Sequence, residues 1–366
     1  MITSSPRFLF IPVSSAEGIG EYMRSLILAD AIKVHWPHAE ILFILSQAAP
    51  YAETCPYPKK LLKQSPTKHI VEVNTIISDF QPNIVIFDAS GRQAQLKQAH
   101  KVGAKVIFIS QHKRKRSRGL KLTRASVTDK HWVAQPKFII GPINTFERIK
   151  LKFLKKKEPT CLGAVFPTPS FAQQQTLLNK YNLKENQFIL FNAGSGGHKK
   201  NNKFCIDIMA RAARNIALET TLTPVIVYGS NYPNKIPKHS EMVNIKSLEN
   251  DDFINLLALS KAAVISGGDT LLQAIALHKP TLAVPVSKDQ PDRIQACRDN
   301  QLILDCTLNE DEIAITVKKL ITDKYLARLK QAMASIPNLN GLDICINDIQ
   351  ELLLEQNNEK ENRNSY

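Results

Sequence analysis

Residues Ala262–Gln290 read AAVISGGDTLLQAIALHKPTLAVPVSKDQ, and no other part of the chain constrains its architecture as tightly. A β-branched apolar run, Val264 and Ile265, ends in Ser266, Gly267 and Gly268. A helical pattern follows over Thr270–Leu277, and a second apolar run, Thr281–Val286, completes a βαβ unit. Lys279-Pro280 ends the helix, because the residue before a proline avoids the α region. Such a unit brings backbone N–H groups and a positive helix end to the carboxyl edge of a parallel sheet, where phosphates bind. The glycines permit a tight turn and close backbone approach. Asp269 and Thr270 fall where side chains cap a first helical turn.

The same alternation runs through the rest of the chain. In the first half, Phe8–Val13, Ile41–Leu45, Ile84–Phe87 and Lys105–Ser110 read as strands, with helices over Glu17–Val34 and Gln93–Lys101. In the second half, strands at Phe188–Phe191, Pro224–Tyr228 and Ala263–Ser266 alternate with helices at Lys203–Ala217 and Asp252–Ser260. Further helices follow near Pro291–Asp299 and Asp311–Asp323. This pattern predicts an α/β chain of two doubly wound, Rossmann-like domains facing a cleft. Their expected limits are 1–158 and 159–345, with a C-terminal helix and polar tail over 346–366 that frays after Gln356.

At 366 residues the chain exceeds one comfortable hydrophobic core, and its 43% apolar content is ordinary for a soluble protein. No apolar run reaches the roughly 20 residues of a membrane span. Phe8–Val13 sits beside a Gly-x-Gly turn and reads as a first strand, not a signal peptide. The six cysteines lie far apart without a C-x-x-C pair, which argues against a zinc site and for a reducing, cytoplasmic compartment.

The net charge of +15 is unevenly placed. Residues 1–158 hold 26 Lys and Arg against 11 Asp and Glu, whereas the remainder holds 22 of each. Two runs concentrate the excess, Lys113–Arg124 (KRKRSRGLKLTR) and Arg148–Lys157 (RIKLKFLKKK). A basic field confined to one half implies a polyanionic partner there. An anionic membrane surface fits both runs, and would place the protein at the inner face of the cytoplasmic membrane. The runs carry almost no aromatic residues for base stacking and match no nucleic-acid motif, which argues against nucleic acid. A solvated basic face is the plain alternative. Arg148–Lys157 itself reads equally as an amphipathic helix or as alternating strand (Ile149, Leu151, Phe153).

Several residues carry candidate chemistry. Gly194, Ser195 and Gly196 follow a strand in Phe191–Gly197, so their backbone can approach a phosphate. Asp289 and Gln290 lie past the last apolar strand, able to accept bonds from hydroxyl groups or to cap the next helix. Glu21, in Gly18-Ile19-Gly20-Glu21-Tyr22-Met23-Arg24, can act as a general base or simply favour the helix dipole. Asp88 and Glu17 are reserve carboxylates at strand ends, and His112 follows the strand Lys105–Ser110. No spacing of His, Asp and Glu suggests a bound metal.

The Ser266–Gln290 segment resembles the donor-binding motif of GT-B glycosyltransferases. In that motif a strand, a small-residue turn, a helix and a Gly-x-Pro strand lead to an Asp-Gln pair. It is similar to the family 28-like enzymes that add N-acetylglucosamine to the lipid-linked peptidoglycan precursor. The Gly18–Arg24 segment resembles the Gly-x-Gly-His-x-x-Arg pattern of GT-B-fold proteins, including the UDP-sugar hydrolase of pseudaminic acid biosynthesis. The resemblance implies a nucleotide-sugar, expected to be UDP-linked, as a substrate on the C-terminal domain, with no cofactor and no obligatory metal. Gly194–Gly196 and Gly267, Gly268, Asp269 and Thr270 would hold the diphosphate. Ser247 and Leu248 would cradle the base, Gln273 the ribose, and Asp289 and Gln290 the sugar. Gly18, Gly20 and Arg24 would meet a lipid-linked or anionic glycan acceptor. The chain departs from the pattern in having Gln273 for a helix glutamate, His278-Lys279 for the glycine before proline, and Glu21 for histidine. A nucleotide-sugar hydrolase and a non-catalytic binding protein of the same fold remain open alternatives.

Overall fold

The computed structural model describes residues 5–14, 19–49 and 51–364, with side chains described as far as Glu359. Two compact units are formed, one from 1–165 with 341–366, the other from 166–340.

The first unit is laid down as β1 (Arg7–Pro12), α1 (Gly20–His35), β2 (Glu40–Ser46), β3 (Lys59–Leu62), α2 (Ile70–Phe80), β4 (Ile84–Asp88), α3 (Gln93–Lys101) and β5 (Lys105–Ser110). It continues through α4 (Lys113–Gly119), α5 (Leu122–Ala125), β6 (Lys130–Val133), α6 (Lys137–Ile140), α7 (Thr145–Phe153) and β7 (Thr160–Cys161). The strands form one sheet in the order β3-β2-β1-β4-β5-β6-β7, parallel throughout. Successive side chains of a strand point to opposite faces, so one strand feeds two cores. Phe8 and Phe10 of β1 join the layer packed by α1, while Leu9 and Ile11 join Val73, Ile77 and Leu96 of α2 and α3 on the other face.

The second unit runs α8 (Phe171–Tyr181), β8 (Phe188–Asn192), β9 (Lys199–Lys200), β10 (Lys203–Phe204), α9 (Cys205–Glu219), β11 (Thr223–Val227), β12 (Val243–Ile245), α10 (Asn250–Leu259) and β13 (Ala262–Ser266). Then come α11 (Asp269–Ala276), β14 (Thr281–Val284), α12 (Pro291–Asp299), β15 (Leu304–Asp305), α13 (Glu310–Leu320) and α14 (Asp323–Ala334). Its main sheet, β12-β11-β8-β13-β14-β15, is again parallel, and β9 and β10 make a small antiparallel hairpin.

The last helix, α15 (Leu342–Asn364), belongs to the first unit. Asp348 accepts from Trp132 Nε1 at 2.7 Å and from Lys130 Nζ at 2.7 Å, and Gln356 Nε2 donates to the Gly103 carbonyl at 2.7 Å. The division between units therefore falls at 165/166 and 340/341 instead of 158 and 345. The first shift has a simple cause: Thr160 and Cys161 pair with Trp132 and Val133 and extend the first sheet. The tail after Gln356 continues the helix to Asn364.

Beneath α4 lies a partly buried imidazole. His131 of β6 stands 3.0 Å from Ser110 Oγ and edge-on to Phe108, with ring centroids 5.2 Å apart. Gly119 lets α4 pass above it, since a Cβ there would lie 2.6 Å from His131 Cε1. Burial pushes the imidazole down to about 3, helped by the nearby Arg116 guanidinium. Below pH 6.5 the unfolded chain takes up a proton that the native chain refuses, so this residue's contribution is present above 6.5 and is lost as pH falls toward 3. Urea unfolding should therefore show the stability gap between wild type and His131→Asn shrinking by about 2 kcal/mol from pH 7 to pH 5. A gap that is independent of pH would show that the ring titrates normally.

Candidate functional site

Parallel pairing brings the carboxyl ends of all main-sheet strands of the second unit to one edge. Asn192 ends β8 and Ser266 ends the neighbouring β13, with Asn192 in register beside Ile265. The buried Asn192 amide organises the loop that follows. Its Oδ1 accepts from Gly194 N at 2.9 Å, and its Nδ2 donates to the carbonyls of Gly194 and Val227 at 3.1 and 3.0 Å. Gly194 and Gly196 have φ of +78° and +86°, where L side chains are strained. Gly196 also lies so close to the next strand end that a Cβ would sit 2.1 Å from the Tyr228 carbonyl oxygen. Gly229, at φ +100°, meets the Ser195 backbone in the same way, and Asn231 N donates to Ser195 O at 2.8 Å. The loops after β8 and β11 are thus interlocked through backbone.

The turn after β13 is held just as firmly. Gly267 N donates to Gln290 Oε1 at 3.1 Å, and the same oxygen accepts from Val286 N at 2.9 Å. Arg293 Nη1 donates to the Gly267 carbonyl at 2.7 Å, and its Nη2 lies 3.5 Å from Asp269 Oδ1. A Cβ on Gly267 would sit 2.8 Å from Ile294, so this glycine admits α12. Its N–H and its carbonyl are therefore both engaged within the protein. Gly268 is the N-cap of α11 and supplies no capping side chain; Asp269 and Thr270 are the first two helical residues, not the cap. A Cβ on Gly194 would lie 3.6 Å from Ser266 Oγ, and one on Gly268 3.8 Å from it. The two glycine turns therefore converge on one hydroxyl, at the positive end of α11.

The other expected donor residues are distributed along this edge. Gln273 is buried on α11, one turn in from Asp269 and Thr270. Ser247 and the half-buried Leu248 follow β12, the strand beyond β11. Asp289 is exposed, and its Oδ1 accepts from Ser287 Oγ at 2.6 Å. Gln290 turns inward to strap two backbone amides and makes no side-chain cap on α12. His278 has φ +52°, the left-handed position after a helix that glycine normally takes.

In the first unit, Glu21, Arg24 and Asp88 form one network. Arg24 donates through Nε to Asp88 Oδ2 at 2.9 Å and through Nη2 to Asp88 Oδ1 at 2.7 Å. Asp88 is fully buried, and burial pushes its carboxyl up to about 6 against the downward pull of Arg24. With its amide turned to satisfy its neighbours, Gln111 accepts from Arg24 Nη2 at 2.7 Å and donates to Glu21 Oε1 at 3.2 Å. Lys115 Nζ approaches Glu21 at 3.8 Å, and the Glu21 side chain keeps 14% exposure. Asp88 is thereby removed as a reserve base, because it is enclosed and bound on both oxygens. Arg24 serves this pair and the Gln111 amide. Gly20 opens α1, whereas Gly18 and Glu17 lie outside the described residues. His112 is the exposed N-cap of α4. A cavity of about 120 Å³ lined by Ser14, Ser46, Tyr51 and Ser65 opens beyond β1 and β2, well below the size of a nucleotide pocket. Among the described residues, no cluster of three or more His, Cys, Asp or Glu is arranged to hold a metal ion.

No protein-family model matches the chain, and no curated protein sequence matches it. Solved structures do. The spinosyn forosaminyltransferase SpnP superposes with a TM-score of 0.65 at 13% identity, over 96% of this chain and 100% of that one. A UDP-glucosyltransferase from Polygonum tinctorium gives 0.63 at 10% identity, over 96% and 99%. A UDP-N-acetylglucosamine 2-epimerase gives 0.57 at 16% identity, over 96% and 95%. The fold is GT-B. Within it, sequence reasoning passed over Asn192, Gly229, Gln111, Lys115 and Arg293. Gly229 was detectable, because it comes within two residues of the end of an apolar strand, as Gly194 and Gly267 do.

The interlocked loops yield a paired test. Gly196→Ala should destabilise the protein by about 3 kcal/mol or more, combining left-handed strain with overlap on the Tyr228 carbonyl. Gly103→Ala, at φ +83° with nothing within 4 Å of the new Cβ, should cost only about 1 kcal/mol. Equal losses in denaturant unfolding would refute the backbone interlock.

Proposed function

We propose that this protein is a glycosyltransferase that moves a sugar from a UDP-linked donor, held on the second unit, to a lipid-linked or anionic glycan acceptor on the basic first unit. The observation that carries the donor half is the convergence of the Gly194 and Gly268 turns on Ser266 Oγ at the N-terminus of α11. Backbone N–H groups and a helix dipole at that point suit a diphosphate, and they stabilise it further as it departs with added charge. Ser195 and Thr270 offer hydroxyl donors on either side, and Gln273 offers an amide to the ribose. The neighbours named for UDP-sugars share this fold and support the choice of nucleotide. The family 28-like character rests on the Ser266–Gln290 motif.

On the first unit, Glu21 is the general base for the acceptor hydroxyl. Gln111 and Lys115 orient it, and the buried Arg24–Asp88 pair anchors Gln111. A carboxylate placed in this way typically supplies about 10²–10⁴-fold in rate.

Thermal unfolding with UDP, GDP, CMP and dTDP tests the donor half, because a ligand of the native state raises its apparent stability. UDP at millimolar concentration should raise the midpoint selectively, and Gln273→Ala should weaken that binding about tenfold, the scale of one hydrogen bond. A shift with none of the nucleotides would overturn the donor reading and leave a non-catalytic binding protein. With a UDP-sugar and acceptor, Glu21→Gln should lower turnover about 10²-fold or more at unchanged UDP affinity. Turnover without any acceptor would reassign the chemistry to hydrolysis or epimerisation of the donor.

A further inference from the structure

The two basic runs, more than twenty residues apart in the chain, are folded into one surface module. Leu120, at the end of α4, and Ala125 of α5 share a small buried cluster with Ile143 and Leu151, and Leu154 packs against it. This satellite core lies apart from the two cores of the first sheet. It joins the Lys113–Arg124 run to the Arg148–Lys157 run. The strand-or-helix ambiguity of the second run is resolved as helix α7, opened by a capping box in which Asn144 accepts from Glu147 N at 2.7 Å.

Helix α7 turns Glu147 and Leu151 inward. Its opposite face carries Phe146, Ile149 and Phe153, at helical spacing i, i+3 and i+7, with 66%, 58% and 82% exposure. Leu122 of α5 is also exposed. Three large apolar side chains in open water on a single helix face are not part of any core. Within the same module, Lys113, Arg114, Arg118, Lys121, Lys152 and Lys155 form no ion pair among the described residues. Lys150 Nζ lies 4.2 Å from the centroid of the Phe146 ring. Among the described residues, no helix is long and apolar enough to cross a membrane.

We infer that the α4–α5–α7 module is a docking surface for an anionic lipid bilayer, with Phe146, Ile149 and Phe153 entering the acyl boundary and the lysines and arginines facing lipid phosphates. The charge selects an anionic partner, and the apolar row selects a bilayer over a soluble polyanion. Phosphate-rich polymers attract the lysines but offer no hydrocarbon for the row to enter. This inference deepens the acceptor side of the proposed function by giving a lipid-linked acceptor a place to be met. Its test does not require nucleotide binding.

The full chain should co-sediment with phosphatidylcholine vesicles containing phosphatidylglycerol and not with phosphatidylcholine alone. The double change Ile149→Ser and Phe153→Ser should lower the partition coefficient about tenfold or more, as expected from removing two inserting side chains. Lys150→Gln, Lys152→Gln and Lys155→Gln together should lower it comparably and weaken its dependence on anionic lipid. These side chains lie on the outer side of α7 or, for Lys155, just past its end, so far-UV circular dichroism and the UDP-induced thermal shift should match wild type in both variants. Failure of the wild-type chain to bind anionic vesicles would overturn the inference. So would vesicle binding, or equally tight heparin binding, that is indifferent to Ile149 and Phe153. If UDP produces no shift while vesicle binding follows these expectations, the donor reading fails and the docking surface stands.

Discussion

A parallel sheet must return its chain across one face before each new strand, so every strand delivers its carboxyl end, and the loop after it, to the same edge. This constraint operates twice here. In the second unit it places Asn192, Tyr228, Ile245 and Ser266 side by side, and the loops that leave them have little room. Gly196 and Gly229 are what that crowding requires, because each lies where a Cβ would penetrate the neighbouring loop's backbone. In the first unit the same edge gathers Asp88 at the end of β4 and Gln111 just past β5. Helix α1 adds Glu21 and Arg24, two residues one turn apart that the sheet assembles into a single network.

Burial assigns different tasks to similar groups at these edges. Asp88 and Glu21 are both carboxylates, yet Asp88 is enclosed and doubly bonded to Arg24, whereas Glu21 keeps access to solvent. One is sealed as an anchor and the other keeps a solvent-facing edge. Gln290 and Gln273 divide in the same way. The Gln290 carbonyl oxygen is consumed by two backbone amides that tie the end of β13 to the segment after β14, while Gln273 lies along α11 beside its first turn.

The architecture was legible wherever a strand or helix is long enough to show its period. The limits of β5, α3 and α12 coincide with the apolar pattern, and the Ala262–Gln290 unit appears as expected. Elements of two to four residues, such as β3, β7 and β15, show no period at all, and α2 was hidden by the β-branched residues Ile70, Val71, Val73, Thr75, Ile76 and Ile77. At the site, glycines and acids announced themselves by type. What they touch did not, because Asn192 acts through backbone atoms 35 residues away and Gln111 through residues 87 and 90 positions earlier. The shift of the first boundary to 165/166 was invisible for a similar reason: two residues of β7 pair with a strand that is itself short.

The return of α15 to the first unit makes the second unit an insertion within the first. Trp132, Lys130, Asn83 and Gly103 all wait for partners made only after the whole second unit, Asp348, Glu351 and Gln356. The inserted unit is complete in sequence by Asn340, so during synthesis it can finish folding while the unit that began first still shows an uncovered apolar flank where Cys345, Ile346, Ile349 and Leu352 belong. The order of synthesis and the order of completion are therefore reversed, and a chain interrupted before α15 leaves the first unit, not the second, unfinished.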